Sequence, residues 1–189
     1  MPDRRITSLI AAAALAVGGT LAVGATGGEG DSREAAVAER GARVMPFSFD
    51  ATTHVFDATA AGGSQRVVAD NPRDREQIRL VRGHLRKEAV AFRRGDFGDP
   101  ASIHGKQMPG LAALQAGFQR IKVIYRDLPD GAEITYRTGD RALASAVADW
   151  FDAQLRDHGP DATKGNEERP DGCQVRRSRG SASCGRRPG

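Results

Sequence analysis

The sequence predicts an α+β fold in which two hairpin-helix (ββα) units form a four-stranded antiparallel sheet with both long helices packed on one face. Three observations carry this expectation. Two pairs of alternating, β-rich segments are each joined by a short Gly-containing turn, each pair is followed by one long amphipathic segment, and neither unit alone could cover its own apolar face.

Taken in order, residues 53–59 and 64–69 flank Ala60-Ala61-Gly62-Gly63 and read as the first hairpin. Asn71 offers an N-cap, Pro72 suits the first helical position and Asp74 complements the dipole, so a helix is expected over 72–94. Its inward stripe is Ile78, Val81, Leu85, Ala89 and Phe92, and Gly95 terminates it. Residues 120–126 and 133–137 alternate around Leu128-Pro129-Asp130-Gly131 as the second hairpin. Thr138 or Asp140 then caps a helix that turns Leu143, Val147, Trp150, Phe151 and Leu155 inward and stops at Gly159-Pro160. Between the units lies a loop punctuated by Gly and Pro that leads into a short helix over 111–116.

Boundaries follow from composition. Arg4 and Arg5 precede an apolar run, 6–23, that ends in Val23-Gly24-Ala25, the pattern of a secretory signal over 1–25. The expected localisation is therefore periplasmic or extracellular, with an uncleaved membrane anchor as the alternative. Residues 26–43 lack large apolar side chains and read as a linker. All ten aromatic residues fall between Phe47 and Phe151, which sets the domain at 44–159. The span 160–189, rich in Gly, Ser, Arg and Pro, reads as a disordered basic tail. The chain's net charge of +4 resides in its ends, +1 in 1–25 and +3 in 160–189, so the middle is neutral. A footprint for nucleic acid is missing, and the only membrane contact expected is through the N-terminal segment. Cys173 and Cys184 both lie in the tail, where they could close a small disulfide loop, and carry no metal-ligand spacing.

The candidate chemistry is in four histidines from four different elements: His54, His84, His104 and His158. His104 is followed by Met108, and Met45 precedes the first strand. Imidazole and thioether donors together suit copper or another soft metal better than magnesium or calcium. The expected ligands are His84 and His104 with Met108 or His54. The leading reading is thus an exported, non-catalytic binding domain. An envelope interaction module whose histidines serve only the fold is the alternative. An enzyme using Asp96 and Asp99 ranks third, because Asp-x-x-Asp before Pro100 is also ordinary turn chemistry. No Gly-x-Ser-x-Gly elbow or phosphate loop is present. The arginine-rich face of the first long helix reads as solvated.

The succession THVFDAT, GGSQRVVADNP, IRLVRGHL, FRRGDFGDPASIHGKQMPGL, YRDLPDGAEITYRTGD and WFDAQLRDHG, within residues 45–159, resembles a family of small exported bacterial proteins of unestablished function. Some members are automatically labelled aspartate carbamoyltransferase. The catalytic chain of that enzyme is more than twice this size and carries a Ser-Thr-Arg-Thr phosphate loop absent here, so the resemblance does not imply the activity. It does imply a shared site, since the family has histidines at the positions of His54, His84, His104 and His158. A further histidine usual on the last helix is replaced by Ala148.

Overall fold

The computed structural model describes residues 28–165, 176–178 and 181–183. The segment read as a secretory signal and both cysteines lie outside the described residues. Strands β1 (Thr52–Thr59), β2 (Gly62–Ala69), β3 (Lys122–Leu128), β4 (Gly131–Arg137) and β5 (Ala162–Lys164) form one sheet in the order β3-β4-β2-β1-β5. A separate two-stranded ribbon pairs β6 (Arg176–Ser178) with β7 (Ser181–Ser183).

The fold class is α+β, but the four-stranded antiparallel sheet needs correction. A fifth strand joins the edge and runs parallel to β1, pairing His54 with Ala162 and Phe56 with Lys164. This strand has only three residues, Ala-Thr-Lys, too few for an alternating pattern to register. It sits in the span read as tail. Both hairpins occur with the expected turns, and Gly62 enters β2 at φ 123°, a conformation open to glycine alone.

Helices α2 (Arg75–Phe92) and α5 (Arg141–His158) cover the sheet face that carries Phe56, Val67, Ile134 and Tyr136, which are all buried. The stripe expected on α2 is the one it buries, Ile78, Val81, Leu85, Ala89 and Phe92. Its start is later than expected. Asp74 is the N-cap and accepts from the Gln77 amide, whereas Asn71 closes a local turn by accepting from the Arg73 amide. Asp140 caps α5, accepting from the amides of Ala142 and Leu143.

Two further helices occupy the loop between the units, α3 (Gly98–His104) and α4 (Leu111–Gly117). The stretch read as a linker holds helix α1 (Gly28–Gly41), which packs on α5 and α3. Only Val37 of α1 enters the core, so apolar periodicity could not reveal the helix. Its anchorage is polar instead: Arg40 Nε donates to the Ile103 carbonyl at 2.5 Å, and Arg33 Nη2 donates to the His104 carbonyl at 3.3 Å.

The arginines of α2 and its C-cap, Arg93, are not merely a solvated face. Arg82 reaches across to the β3–β4 turn, donating to the carbonyls of Gly131 (3.1 Å), Pro129 (3.3 Å) and Leu128, and Arg93 Nε donates to the Val123 carbonyl at 2.9 Å. Hydrogen bonds from a charged donor are the stronger kind. Replacing Arg82 by Met, which keeps the aliphatic stem, is expected to lower stability by about 2 kcal/mol. A urea midpoint equal to that of the wild type would show that the clasp contributes nothing.

Candidate functional site

The four histidines meet at one place. His54 projects from β1 onto the helix-covered face of the sheet, His84 comes from α2, and His104 and His158 are the last residues of α3 and α5. All four line a single cavity of about 40 Å³, together with Met45, Phe47, Glu88, Asp99, Trp150 and Gln154. The rings of His54 and His158 stack with centroids 4.5 Å apart and planes 13° apart, and His104 stands edge-on to His158 at 5.0 Å. Phe47 lies 5.6 Å from His84 and 5.9 Å from His54, and Phe49 lies 5.5 Å from His158.

Helical and strand periodicity explain the gathering. On α5, Trp150, Gln154 and His158 are four residues apart and form one row; on α2, His84 and Glu88 form a second. The register of β1 puts His54 on the same side as Phe56, two residues on.

A charged chain fixes one ring. Arg33 donates through Nε and Nη2 to the two oxygens of Asp157 at 2.5 and 2.9 Å, and Asp157 Oδ2 accepts from His104 Nδ1 at 2.9 Å. Burial pushes the Asp157 carboxyl up, but hydrogen bonds from His104 and Arg33 outweigh it and hold the pKa below its ordinary value. With the Nδ1 proton committed to Asp157, Nε2 is the nitrogen that His104 can offer to a ligand.

The other rings are neutral at physiological pH. Burial, aided by the charges of His104 and His84, lowers His54 to about 3. Burial lowers His84 to about 4, with Asp99 opposing and Lys87 assisting, and it holds His158 well below its ordinary value. Across the cavity the trend reverses for an acid. Burial and a hydrogen bond with Asp99 raise Glu88 to about 8. Asp99 stays ionised because bonds from Glu88 and Lys87 outweigh its own desolvation. Asp96 accepts from the Gly98 amide at 2.9 Å, as a turn residue does.

Three buried polar atoms lining the cavity have no hydrogen-bond partner: His54 Nδ1, Trp150 Nε1 and Gln154 Nε2. Such atoms are rare in folded proteins.

Against the expected ligand set, His54, His84 and His104 share the cavity and His158 joins them. Met108 does not line it. It is 5% exposed within the apolar core, and the methionine among the cavity-lining residues is Met45. Among the described residues, no three His, Cys, Asp or Glu side chains converge as a ready-made metal-holding group. Trp150, Gln154 and Asp157 were not singled out as site residues by sequence reasoning. The four-residue row 150, 154, 158 was the signal that could have found the first two.

No family model matches the chain, and neither the curated proteins nor the solved structures contain a match.

Proposed function

We propose that this chain is an exported binding domain, of the small-protein family its sequence resembles, whose histidine pocket takes up copper or another soft metal ion. The observation that carries the reading is that every histidine in the chain lines one buried cavity, in which His54 Nδ1 has no partner. Neutral imidazoles are the form that binds metals, and a carboxylate behind a ligating histidine is the usual means of fixing its tautomer. His104, His158 and His54 are the inner ligands, with His84 at the α2 side and Met45 as the available thioether.

Binding requires a ring to turn. An imidazole nitrogen binds an ion in the plane of its ring, whereas the His54 and His158 rings are stacked 13° from parallel with centroids 4.5 Å apart, so their lone pairs run side by side. Rotation of His158 about its side-chain torsions would bring its edge round, and its position at the end of α5 leaves the backbone undisturbed.

Copper titration of the metal-free protein tests this, read through Trp150, the chain's single tryptophan, which forms part of the cavity wall. One equivalent is expected to quench its emission, and His104→Ala combined with His158→Ala is expected to weaken binding by about 100-fold or more. Affinity unchanged in the double variant would exclude these ligands.

A second reading is favoured by the row Phe56–His54–His158, stacked at 6.3 and 4.5 Å and flanked by Phe49. There the rings serve as flat packing elements of an interaction module. That reading expects no copper uptake and a loss of stability from the same substitutions.

A further inference from the structure

The two remaining unpartnered atoms are both hydrogen-bond donors, and they belong to cavity-lining residues on adjacent turns of one helix. Trp150 and Gln154 lie one turn apart on α5, are 0% and 4% exposed, and leave the indole Nε1–H and the amide Nε2–H without acceptors. Apolar side chains of Leu85, Phe92, Ile103 and Ile134 complete the wall around them.

We infer that this wall seats a small neutral carbonyl compound whose oxygen accepts from both Trp150 Nε1–H and Gln154 Nε2–H. Neutrality follows from the lining, which contains no Lys or Arg and does contain the carboxyl groups of Glu88 and Asp99. A buried anion would find no countercharge there. Size follows from the cavity, about 40 Å³, room for two or three waters or for a molecule of about four non-hydrogen atoms. An amide fits best among carbonyl compounds, because its oxygen is the strongest neutral acceptor and its N–H can be used by the Gln65 or Gln154 side-chain oxygen on the same lining. The donors involved are not histidine nitrogens, so the inference stands apart from copper uptake.

The chain's single indole N–H gives a direct reporter. In the metal-free protein, with chelator present, acetamide is expected to move the indole resonance saturably, with a dissociation constant of about millimolar order for so small a ligand. Acetate at equal concentration is expected to leave it unmoved, and Gln154→Leu to weaken acetamide at least about tenfold. A wild-type resonance that does not respond to acetamide would overturn the inference, leaving these donors to water or to the neighbouring aromatic rings. A stronger response to acetate would overturn the neutral class. Should Gln154→Leu fail to fold, the wild-type comparison of acetamide with acetate decides alone. Copper titration of a separate, chelator-free sample of the same protein reads the histidines, so either reading can fail without the other.

Discussion

Lowering the pH from 6.5 to 4 is expected to remove most of the stability of this domain. His54 titrates near 3 and His158 well below its ordinary value when folded, both chiefly because of burial, whereas an exposed histidine in the unfolded chain titrates near ~6.5. Over that interval the unfolded chain binds protons that the folded chain refuses, so stability falls as acid is added. Glu88 works in the opposite sense. Held protonated up to about 8 when folded, it contributes stability that is complete below the unfolded carboxyl value and is lost as pH rises to 8. The two buried histidines outnumber the one acid, and the half-buried His84 adds a smaller contribution of the same sign. The net effect is a stability that falls with acid below pH ~6.5 and falls with alkali between ~6.5 and 8. Stability therefore peaks near pH ~6.5. Urea titrations at four pH values between 4.5 and 8 would trace the dome, and a flat profile below 6.5 would show that the histidines are not buried neutral. His54→Gln is expected to flatten the acid limb while leaving the alkaline limb unchanged.

Gly110→Ala is the second change with a large expected effect. Gly110 precedes α4 at φ 76°, in the left-handed region, and a Cβ there would stand 2.0 Å from the Ala146 carbonyl oxygen and 3.1 Å from Trp150 Cβ. The first obstacle is helical backbone and cannot yield. Left-handed strain and overpacking together are expected to cost about 4 kcal/mol, a large share of the ~5–15 kcal/mol of a whole domain. The melting temperature would fall by more than ~10 °C. Gly83→Ala is the internal comparison: it lies within α2 with nothing near its Cβ position, and is expected to gain about 0.5–1 kcal/mol. Equal melting temperatures for the two variants would refute the close approach of α4 to α5. That contact also bears on the site, since displacing α4 from α5 would move Trp150 and the cavity wall it forms.

Much of the scaffold could be read from local pattern. Alternation at Val123, Tyr125, Ile134 and Tyr136 and the three-four spacing from Ile78 to Phe92 reflect the two periods at which a chain buries one face, and both are present in the residues themselves. The arginine contacts were not legible. Arg33, Arg40 and Arg82 reach carbonyls 46 to 71 residues away in sequence, or an acid 124 residues away in the case of Arg33 and Asp157. Nothing local distinguishes them from arginines that face water. The same holds for β5, whose three residues become a strand only because the edge of β1 offers its backbone groups.

For the site, the order of residues limits which chemistry is possible. It supplies four imidazoles, no cysteine within 44–159 and no catalytic motif, and it puts His54 and His84 on elements whose inward faces could be assigned, with His104 in a loop. The packed fold is what brings the imidazoles to one cavity, puts Met45 rather than Met108 in its lining, and stands Asp157 behind His104. The physical reason is that side-chain direction follows from each element's own period, whereas the distance between two elements is set by how β1, α2, α3 and α5 pack. That packing is a property of the whole core and of no single segment.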